Sequence, residues 1–192
     1  MSRRVHLAGV ALVGLVLLAA ATLLDGWLPD SASDPVADPF VLAAGVGDPV
    51  SLRTVTLEVE SVRGASTIDR FGSELRSPGV WIVVQYAVTA KDENAAINFA
   101  EVRDDTGRVW SLNHGRSENT CLQAPPGVRN GCVALFEVPA DAVPGLRLRL
   151  SPTLEQRFDS VADIDLGLTA DDAEEFTVAT GLEVPGTTLG GS

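Results

Sequence analysis

Strict alternation of apolar and polar residues in the second half of the chain predicts β-strands. In residues 146–150 leucines occupy the even positions and arginines the odd ones. Leu146, Leu148 and Leu150 are therefore expected on a core face, with the arginines toward solvent. Residues 164–168 repeat the pattern with aspartate in place of arginine. If these two strands are antiparallel neighbours, their outward Arg and Asp side chains can pair across them.

A longer apolar run over residues 80–89 is rich in β-branched and aromatic side chains, which is typical of a central strand. Its even positions, from Val80 to Val88, form one apolar row. Its odd positions mix Trp81 and Val83 with polar residues, so we expect that face to be only partly covered.

Turn signals separate further extended segments. Residues 97–103 and 108–112 flank Asp104-Asp105-Thr106-Gly107, and a turn ending in glycine between two such segments predicts a hairpin. Residues 132–138 follow a Pro-Pro-Gly turn. Pro139 is expected to end that strand because proline cannot donate to a ladder.

These strands together define a domain. Residues 54–60 alternate as well, so about seven short strands separated by turn signals are present, with no convincing amphipathic helix. We predict an all-β fold, an immunoglobulin-like antiparallel β-sandwich over residues 49–170. The acidic residues 171–192 are predicted to form a flexible tail, in which residues 176–178 could add a short edge strand.

The N-terminus has a different pattern, in which Arg3 and Arg4 precede an almost unbroken apolar run over residues 7–24. About twenty apolar residues in a helix span roughly 30 Å, the thickness of a hydrocarbon core. Residues 1–28 are therefore predicted to be a signal anchor, a transmembrane helix whose basic end stays cytoplasmic. A cleaved secretory signal, with residues 19–21 as the cleavage site, and a buried core helix are the alternatives.

Residues 29–48 are rich in Asp, Pro, Ser and Ala and show no sustained period. They predict a flexible acidic linker that holds the domain off the membrane. The expected location is the cell membrane, with a single span and an extracytoplasmic domain, or secretion if the anchor is cleaved.

The charge balance narrows the classes of partner. The chain has 26 Asp and Glu residues against 14 Lys and Arg residues, which gives a net charge of −12. A strongly acidic domain repels nucleic acid and anionic lipid headgroups. We therefore expect no nucleic-acid partner.

Cys121 and Cys132 are the two cysteines of the chain, and both follow the predicted anchor. In an oxidising compartment, two thiols on either side of a Pro-Pro-Gly turn are expected to form a disulfide between neighbouring strands. A redox-active pair would normally show CxxC spacing. A zinc site would need further ligands, such as a nearby pair of histidines. Neither pattern is present.

Residues suited to catalysis or metal binding are few. His114 could act as a general base with Ser111 or Ser117, but no Gly-x-Ser-x-Gly nucleophile turn is present. Three acidic clusters could supply calcium ligands, although none matches an EF-hand loop. These clusters are Asp92-Glu93-Asn94, Asp104-Asp105 and Asp171-Asp172. We predict no catalytic residue, no metal and no cofactor.

Aromatic residues of the domain are scattered singly among the predicted strands and loops, as a core requires; they are Phe71, Trp81, Tyr86, Phe99, Trp110, Phe136 and Phe158. Trp81 and Trp110 fall on strand faces that they share with polar residues. If both lie on one exposed sheet face, they would form a partner-binding patch. Core or half-covered packing of the two tryptophans is the interpretation that we favour.

The order of segments resembles a known family. The resemblance rests on GVWIVVQYAVTAKDENA, AEVRDDTGRVW and GCVALFEVPADAVPGLRLRLSP, and its most specific part is residues 133–139 followed by 146–150. These segments resemble the DUF4352 family of small extracytoplasmic immunoglobulin-like domains of bacteria, which often follow a lipoprotein signal or a membrane anchor. The resemblance covers residues 50–168. It implies a fold and a compartment, and it carries over no active-site residue.

The sequence thus favours a membrane-anchored extracytoplasmic β-sandwich without catalysis. We expect a protein-interaction or structural module of the bacterial cell envelope, whose partner is another membrane or envelope protein. A carrier of a small ligand or envelope lipid, with an apolar cavity between the sheets, is the alternative. A hydrolase that uses His114 is a third possibility.

Overall fold

The computed structural model describes residues 38–112, 116–157 and 159–190. Within these ranges the chain forms twelve β-strands, one α-helix and one short 3-10 helix. The strands are β1 (Phe40–Gly45), β2 (Val50–Ser51), β3 (Val55–Arg70), β4 (Ser73–Ala90), β5 (Phe99–Arg103), β6 (Val109–Ser111), β7 (Glu118–Thr120), β8 (Arg129–Val138), β9 (Arg147–Ser151), β10 (Ser160–Asp165), β11 (Leu182–Glu183) and β12 (Thr188–Leu189). The helix α1 is Ala170–Val178, and the 3-10 helix is Ala140–Ala142.

The strands form two sheets. The five-stranded sheet has the order β1-β10-β9-β5-β6. The seven-stranded sheet has the order β11-β3-β4-β8-β12, with β2 also paired to β3 and β7 also paired to β8. The inward side chains of both sheets form one apolar cluster. The predicted all-β sandwich of two sheets is thereby confirmed. It is not antiparallel throughout as predicted, because β1 pairs with β10 and β11 pairs with β3 in parallel.

The alternation over residues 146–150 is confirmed in detail. Leu146, Leu148 and Leu150 are fully buried in the cluster between the sheets. β9 and β10 are antiparallel neighbours. The Nε atom of Arg147 lies 2.8 Å from Oδ1 of Asp163, so the outward charges pair across the two strands as expected.

The predicted disulfide is confirmed between Cys121 and Cys132, whose Cα atoms are 4.6 Å apart. Cys132 belongs to β8, and Cys121 follows β7, the strand paired with β8. The bond therefore joins the end of an edge strand to an inner strand. The sulfur of Cys132 is buried with the inter-sheet cluster.

The β3–β4 hairpin is much longer than the two predicted strands. Its register shifts between the pairs Ala65–Trp81 and Thr67–Arg76, so that residues 77–80 of β4 lie opposite the single residue 66 of β3. A bulge of this kind bends a hairpin. Pro78 and Gly79 lie within the bulge, where the missing proline N–H interrupts no regular ladder.

Beyond this bend, the distal part of the hairpin (residues 67–76) folds over the outer face of the seven-stranded sheet. The Nε1 atom of Trp81 donates to the backbone oxygen of Leu75 at 3.1 Å. A second apolar cluster fills the space between the two layers; its buried members are Ile68, Trp81, Val83, Val133 and Leu135. The odd face of the central strand, expected to be only partly covered, is therefore buried around Trp81 and Val83.

The predicted linker over residues 29–48 contains a strand, so that part of the prediction is wrong. β1 pairs in parallel with β10 from Phe40–Ser160 to Gly45–Asp165. The segment does not alternate between apolar and polar residues, so its sequence contains no strand signal. β1 is an edge strand, and its apolar side chains remain partly exposed on both faces. Backbone hydrogen bonding, rather than an alternating face, places this strand.

The prediction of a flexible tail beyond residue 171 is also wrong for the residues described up to Gly190. Thr169 accepts from the Asp172 backbone, and the Asp172 carboxylate accepts from the Thr169 backbone, which forms a capping box at the start of α1. Acidic residues in the first turn of a helix are favoured by its dipole. The predicted edge strand at residues 176–178 is the end of this helix.

Phe176 attaches α1 to the sandwich. Its ring is 7% exposed and packs against the inter-sheet cluster. The ring covers Gly64 of β3 so closely that a Cβ at this position would overlap it. β11 then pairs with β3 and β12 with β8. The last described residues are therefore part of the fold.

The predicted membrane anchor lies outside the described residues. In the parts of the chain that the structure describes, no helix is both long and apolar enough to cross a membrane. The apolar run over residues 7–24 therefore stays a prediction.

An ion pair connects the two sheets at one end of the sandwich. Arg53, between β2 and β3, donates from Nε and Nη2 to the two oxygens of Asp159 at 3.1 and 2.9 Å. Its backbone N–H donates to Oγ of Ser160 at 3.0 Å. The Arg53 hydrogen bond lowers the pKa of Asp159; burial opposes this shift, and donors from Ser160 and Thr153 add to it.

The Gly64→Ala variant tests the packing of α1. The added methyl group would overlap the Phe176 ring, so we expect the free energy of unfolding to fall by about 1–3 kcal/mol, as for other overpacked sites. Gly186→Ala is the control, because a Cβ there meets no atom within 4 Å. Denaturant unfolding followed by tryptophan fluorescence measures both. Equal stability of the two variants would contradict the packing of Phe176 on Gly64.

The Arg53→Gln variant tests the Arg53–Asp159 ion pair between the sheets. A carboxyl group with a lowered folded pKa contributes stability that is present above its unfolded pKa and is lost as pH falls through the folded pKa. Because the pKa of Asp159 is lowered, Arg53→Gln should reduce the free energy of unfolding at pH 7. The difference from the parent chain should shrink below about pH 4.

Arg63→Gln is the matched control for this experiment. Arg63 lies exposed on β3 and has no carboxylate partner among the described residues. Its replacement should change stability little at either pH. A loss for Arg53→Gln that is independent of pH would show that the charge of Asp159 does not carry the effect.

Candidate functional site

Two of the three acidic clusters act within turns or caps. Asp104 is buried and accepts hydrogen bonds from Thr106 and Arg108, including one of 2.6 Å from Nε of Arg108. Burial raises the pKa of Asp104, but the hydrogen bonds from Arg108 and Thr106 outweigh burial and lower it. Asp172 caps α1. Over the ranges described, no group of three or more His, Cys, Asp and Glu side chains could hold a metal ion.

The structure describes two of the candidate site residues, Trp81 and Trp110, and it does not bring them together. His114 lies outside the described residues, within the gap at 113–115. Trp81 is fully buried on the outer face of the seven-stranded sheet, under the folded hairpin. Trp110 belongs to the other sheet and packs half-buried against the inter-sheet cluster. A shared patch of the two tryptophans is therefore wrong.

The tip of the β3–β4 hairpin carries the most exposed large apolar side chain among the described residues. Phe71, expected in the core, is 93% exposed. Arg70 pairs with Ser73, so Phe71 and Gly72 form a two-residue loop. Their φ angles are 52° and 76°, and Phe71 is the one described non-glycine residue with positive φ. Two positive values are those of a type I′ turn, which normally favours Asn-Gly.

Neighbouring groups hold this turn in place. The backbone N–H of Gly72 donates to Oδ1 of Asp69 at 3.0 Å. The backbone N–H of Val184 donates to the Asp69 carbonyl at 3.0 Å. Arg70 forms an ion pair with Glu118 of β7, and its guanidinium lies 5.1 Å from the centre of the Phe71 ring. The aromatic side chain is thus displayed on a backbone that is attached to two other elements.

A surface cavity of about 260 Å³ lies beside the tip. One wall is formed by the hairpin, a second by β7 and β8, and a third by the segment between β11 and β12. Residues from these walls include Phe71, Glu118, Thr120, Val133 and Pro185. We refer to Phe71 and this cavity together as the tip site. It combines an apolar ring, an ion pair and a depression on one surface.

Two other cavities on the described surface are larger than the one at the tip. One of about 560 Å³ lies between the hairpin bend, the end of β8 and the end of α1. Glu137 lines it and is held by Arg116, whose Nε lies 3.1 Å from Oε2. Burial raises the pKa of Glu137, but hydrogen bonds from Arg116 and Ser77 outweigh burial and lower it. The other, of about 490 Å³, is lined by exposed amide side chains and the Glu93 carboxylate near Cys121.

The sequence contains one local signal for the tip site that pattern reading missed. Phe71-Gly72 follows Asp69-Arg70 between two extended segments, and glycine at the second central position is a hairpin signal. Recognition of this turn would have placed Phe71 at the tip of a hairpin instead of in the core. The cavity has no comparable signal, because its walls come from distant parts of the chain.

Comparisons with known proteins do not identify a family. No family model and no curated protein matches the chain. The solved structure of the YjhA protein from Bacillus subtilis is similar over 64% of this chain and 99% of its own, with 12% identity and a TM-score of 0.46. An uncharacterized β-sandwich protein from Clostridium difficile 630 is similar over 66% of this chain and 95% of its own, with 10% identity and a TM-score of 0.44. Neither likeness is close enough to carry a functional argument.

Replacement of Phe71 tests whether its side chain supports the fold. Phe71→Asn should leave the free energy of unfolding unchanged or raise it by up to about 1 kcal/mol, because asparagine tolerates positive φ and phenylalanine loses little burial here. Phe71→Val should lower it, because β-branched residues disfavour positive φ. Denaturant unfolding of both variants provides the test. If Asn destabilises as much as Val, the ring contributes to folding.

Proposed function

We propose that this chain is a membrane-anchored, extracytoplasmic immunoglobulin-like β-sandwich that binds another protein of the bacterial cell envelope and has no catalytic role. The observation that carries the proposal is the tip site. Phe71 is exposed, and its backbone has a positive φ angle, which is unfavourable for phenylalanine. Neighbouring hydrogen bonds hold the turn in this conformation.

Folding does not explain the choice of phenylalanine at this position. A non-glycine residue in the left-handed region costs about 1–2 kcal/mol, and a side chain that remains 93% exposed returns almost nothing through burial. Asparagine or glycine would form the same turn without this cost. Aromatic side chains that enter a pocket on a partner contribute a large share of binding energy at protein interfaces.

The surroundings of the tip favour a protein over a membrane surface. Glu118 is neutralised by Arg70, but Asp69 and Glu74 remain beside the turn, in a chain of net charge −12. Negative charges repel anionic lipid headgroups. We infer a partner that offers an apolar pocket for the Phe71 ring and a basic rim around it.

The compartment and the anchor belong to the same proposal. The apolar run over residues 7–24 and the basic residues before it support a signal anchor. The Cys121–Cys132 disulfide supports an oxidising compartment, because such bonds are rare in the cytosol. Membership of the DUF4352 family, proposed on the sequence resemblance, is consistent with this compartment.

No observation favours the alternative of a lipid carrier. The inward rows of both sheets pack into one cluster whose large members are fully buried, among them Leu57, Ile82, Phe136 and Leu148. The three cavities described above open on the surface and have polar groups in their walls. An apolar ligand would need the two sheets to part, with loss of this packing.

Site-directed photo-crosslinking in native membranes tests the proposal. A photoreactive phenylalanine analogue replaces Phe71 in the full-length chain. We expect one discrete crosslinked protein, because the ring enters the partner's pocket. The matched control places the analogue at Leu154, which is 76% exposed and lies between β9 and β10, away from the tip. This position should capture no comparable product.

The Phe71→Asn variant completes the experiment. It should fold normally yet reduce copurification of the captured protein by at least tenfold, whereas Leu154→Asn should not reduce it. The proposal fails if position 71 captures no protein or only lipid. It also fails if Phe71→Asn retains the captured protein at the level of the parent chain.

A further inference from the structure

A second exposed apolar feature lies on the edge of the five-stranded sheet, whereas the tip site belongs to the seven-stranded sheet. β1 is the last strand of that sheet, and among the described residues its pairing partner is β10. Three of its large side chains, and Val46 directly after the strand, are exposed. Their exposed fractions are 69% for Phe40, 45% for Val41, 39% for Leu42 and 41% for Val46.

These side chains share an edge rather than a face. Successive side chains on a strand point to opposite sides of the sheet. Leu42 lies opposite Ala162, which faces the inter-sheet cluster, whereas Val41 lies opposite Val161 in the other row. A bilayer or a flat protein surface would cover one row only. Exposure of both rows is what an open strand edge produces, and it fits the addition of another strand.

Over most of its length β1 lacks the features that normally protect an edge. At its end, the Asp48 carboxylate accepts from the Gly45 backbone N–H at 3.0 Å. Natural sheets use very short edge strands, charges, prolines or bulges to prevent pairing with another chain. The other outer strands described here, β2, β6, β7, β11 and β12, have two or three residues each. β1 has six residues, pairs with β10 without a register shift, and contains no charge and no proline.

We propose that the free edge of β1 pairs with β1 of a second copy of this chain, antiparallel about a two-fold axis, so that the two five-stranded sheets become one continuous sheet. Residues 39–46 are uncharged, so no like charges face each other within the strand itself. Because the Asp48 carboxylate occupies the Gly45 N–H, the part of the edge that is open to pairing is residues 40–44. A two-fold axis makes such a contact self-complementary and closed.

The position of β1 in the chain favours a second copy over another partner. The segment before the described residues ends directly at β1, and only residues 25–39 separate the strand from the apolar run. If that run is the anchor proposed above, every copy has its β1 tethered to one membrane by the same short segment. Confinement of this kind raises the effective concentration of identical edges. Two six-residue strands bury less than the roughly 800 Å² per partner of a standard interface, so the pairing relies on that confinement.

The edge and the tip site are separate surfaces. β1 belongs to the five-stranded sheet, and Phe71 lies on a hairpin of the seven-stranded sheet. Self-pairing through β1 extends one sheet and does not require the tip. A dimer would therefore present two tip sites to the protein that Phe71 binds.

Cysteine crosslinking of the full-length chain in native membranes tests the proposal. Ala43→Cys places a thiol near the middle of β1. Opposed residues of an antiparallel pair have Cα atoms about 4.5–5.5 Å apart, within the range that a disulfide spans. We expect mild oxidation to give a disulfide-linked homodimer. Val109→Cys, on β6 at the other edge of the same sheet and 42% exposed, is the control and should give at least tenfold less.

Two further variants test whether the partner at the β1 edge is a second copy of this chain. Adding Val41→Lys to Ala43→Cys should reduce the homodimer at least tenfold, because it places like charges on both edges; residue 41 is already exposed, so the fold should tolerate it. Adding Phe71→Asn should leave the homodimer unchanged, which separates this inference from the tip site. The proposal is overturned if position 43 crosslinks no faster than position 109, or if it crosslinks to a different protein.

Discussion

The bend in the β3–β4 hairpin determines where most other features of this domain lie. Residues 77–80 oppose a single residue of β3, and the hairpin turns there onto the outer face of its own sheet. Gly79 makes this possible, because a Cβ at that position would overlap the Val138 carbonyl oxygen. Without the bend, Trp81 and Leu135 would be exposed to water. With it, the sandwich has a second small core, and the hairpin tip stands beside β7.

The C-terminal segment depends on the same arrangement and stabilises it. Its helix covers Gly64 through Phe176, and the Ala179 carbonyl accepts from both the backbone and the hydroxyl of Ser66, just before the bend. The Thr67 hydroxyl accepts from the Gly181 backbone at 2.9 Å. A segment of low hydrophobicity thus becomes ordered, because its backbone groups find partners along the distal part of the hairpin.

The recognition that we propose for this acidic domain relies on apolar groups that the fold leaves uncovered. The charges on the outer face of the five-stranded sheet largely pair among themselves, as Arg147 and Arg149 do with Asp163. Paired surface charges of this kind contribute little to binding energy. The ring of Phe71 contacts the Arg70 guanidinium but stays 93% exposed, and most of the β1 edge is unpaired among the described residues. The two features lie on different sheets. One protein can therefore use them for different contacts.

Local sequence patterns were sufficient to predict the core face of residues 146–150, the disulfide and the two-sheet sandwich. In each case a short stretch of chain contains the whole signal: the period of two at Leu146, Leu148 and Leu150 sets a core face, and two thiols across a turn are brought together by the strands that flank it. The capping pattern Thr169-Ala170-Asp171-Asp172 was also present, and it marks a helix start that the acidic composition concealed. Only the tertiary structure decided that Phe71 is exposed, that Trp81 is buried and that β1 forms an edge. These outcomes depend on which distant segments meet: the fold of the hairpin at Gly79, the docking of residues 182–184 beside it, and the parallel pairing with β10. The identity of an apolar residue in the sequence does not indicate whether the folded chain buries its side chain or leaves it exposed.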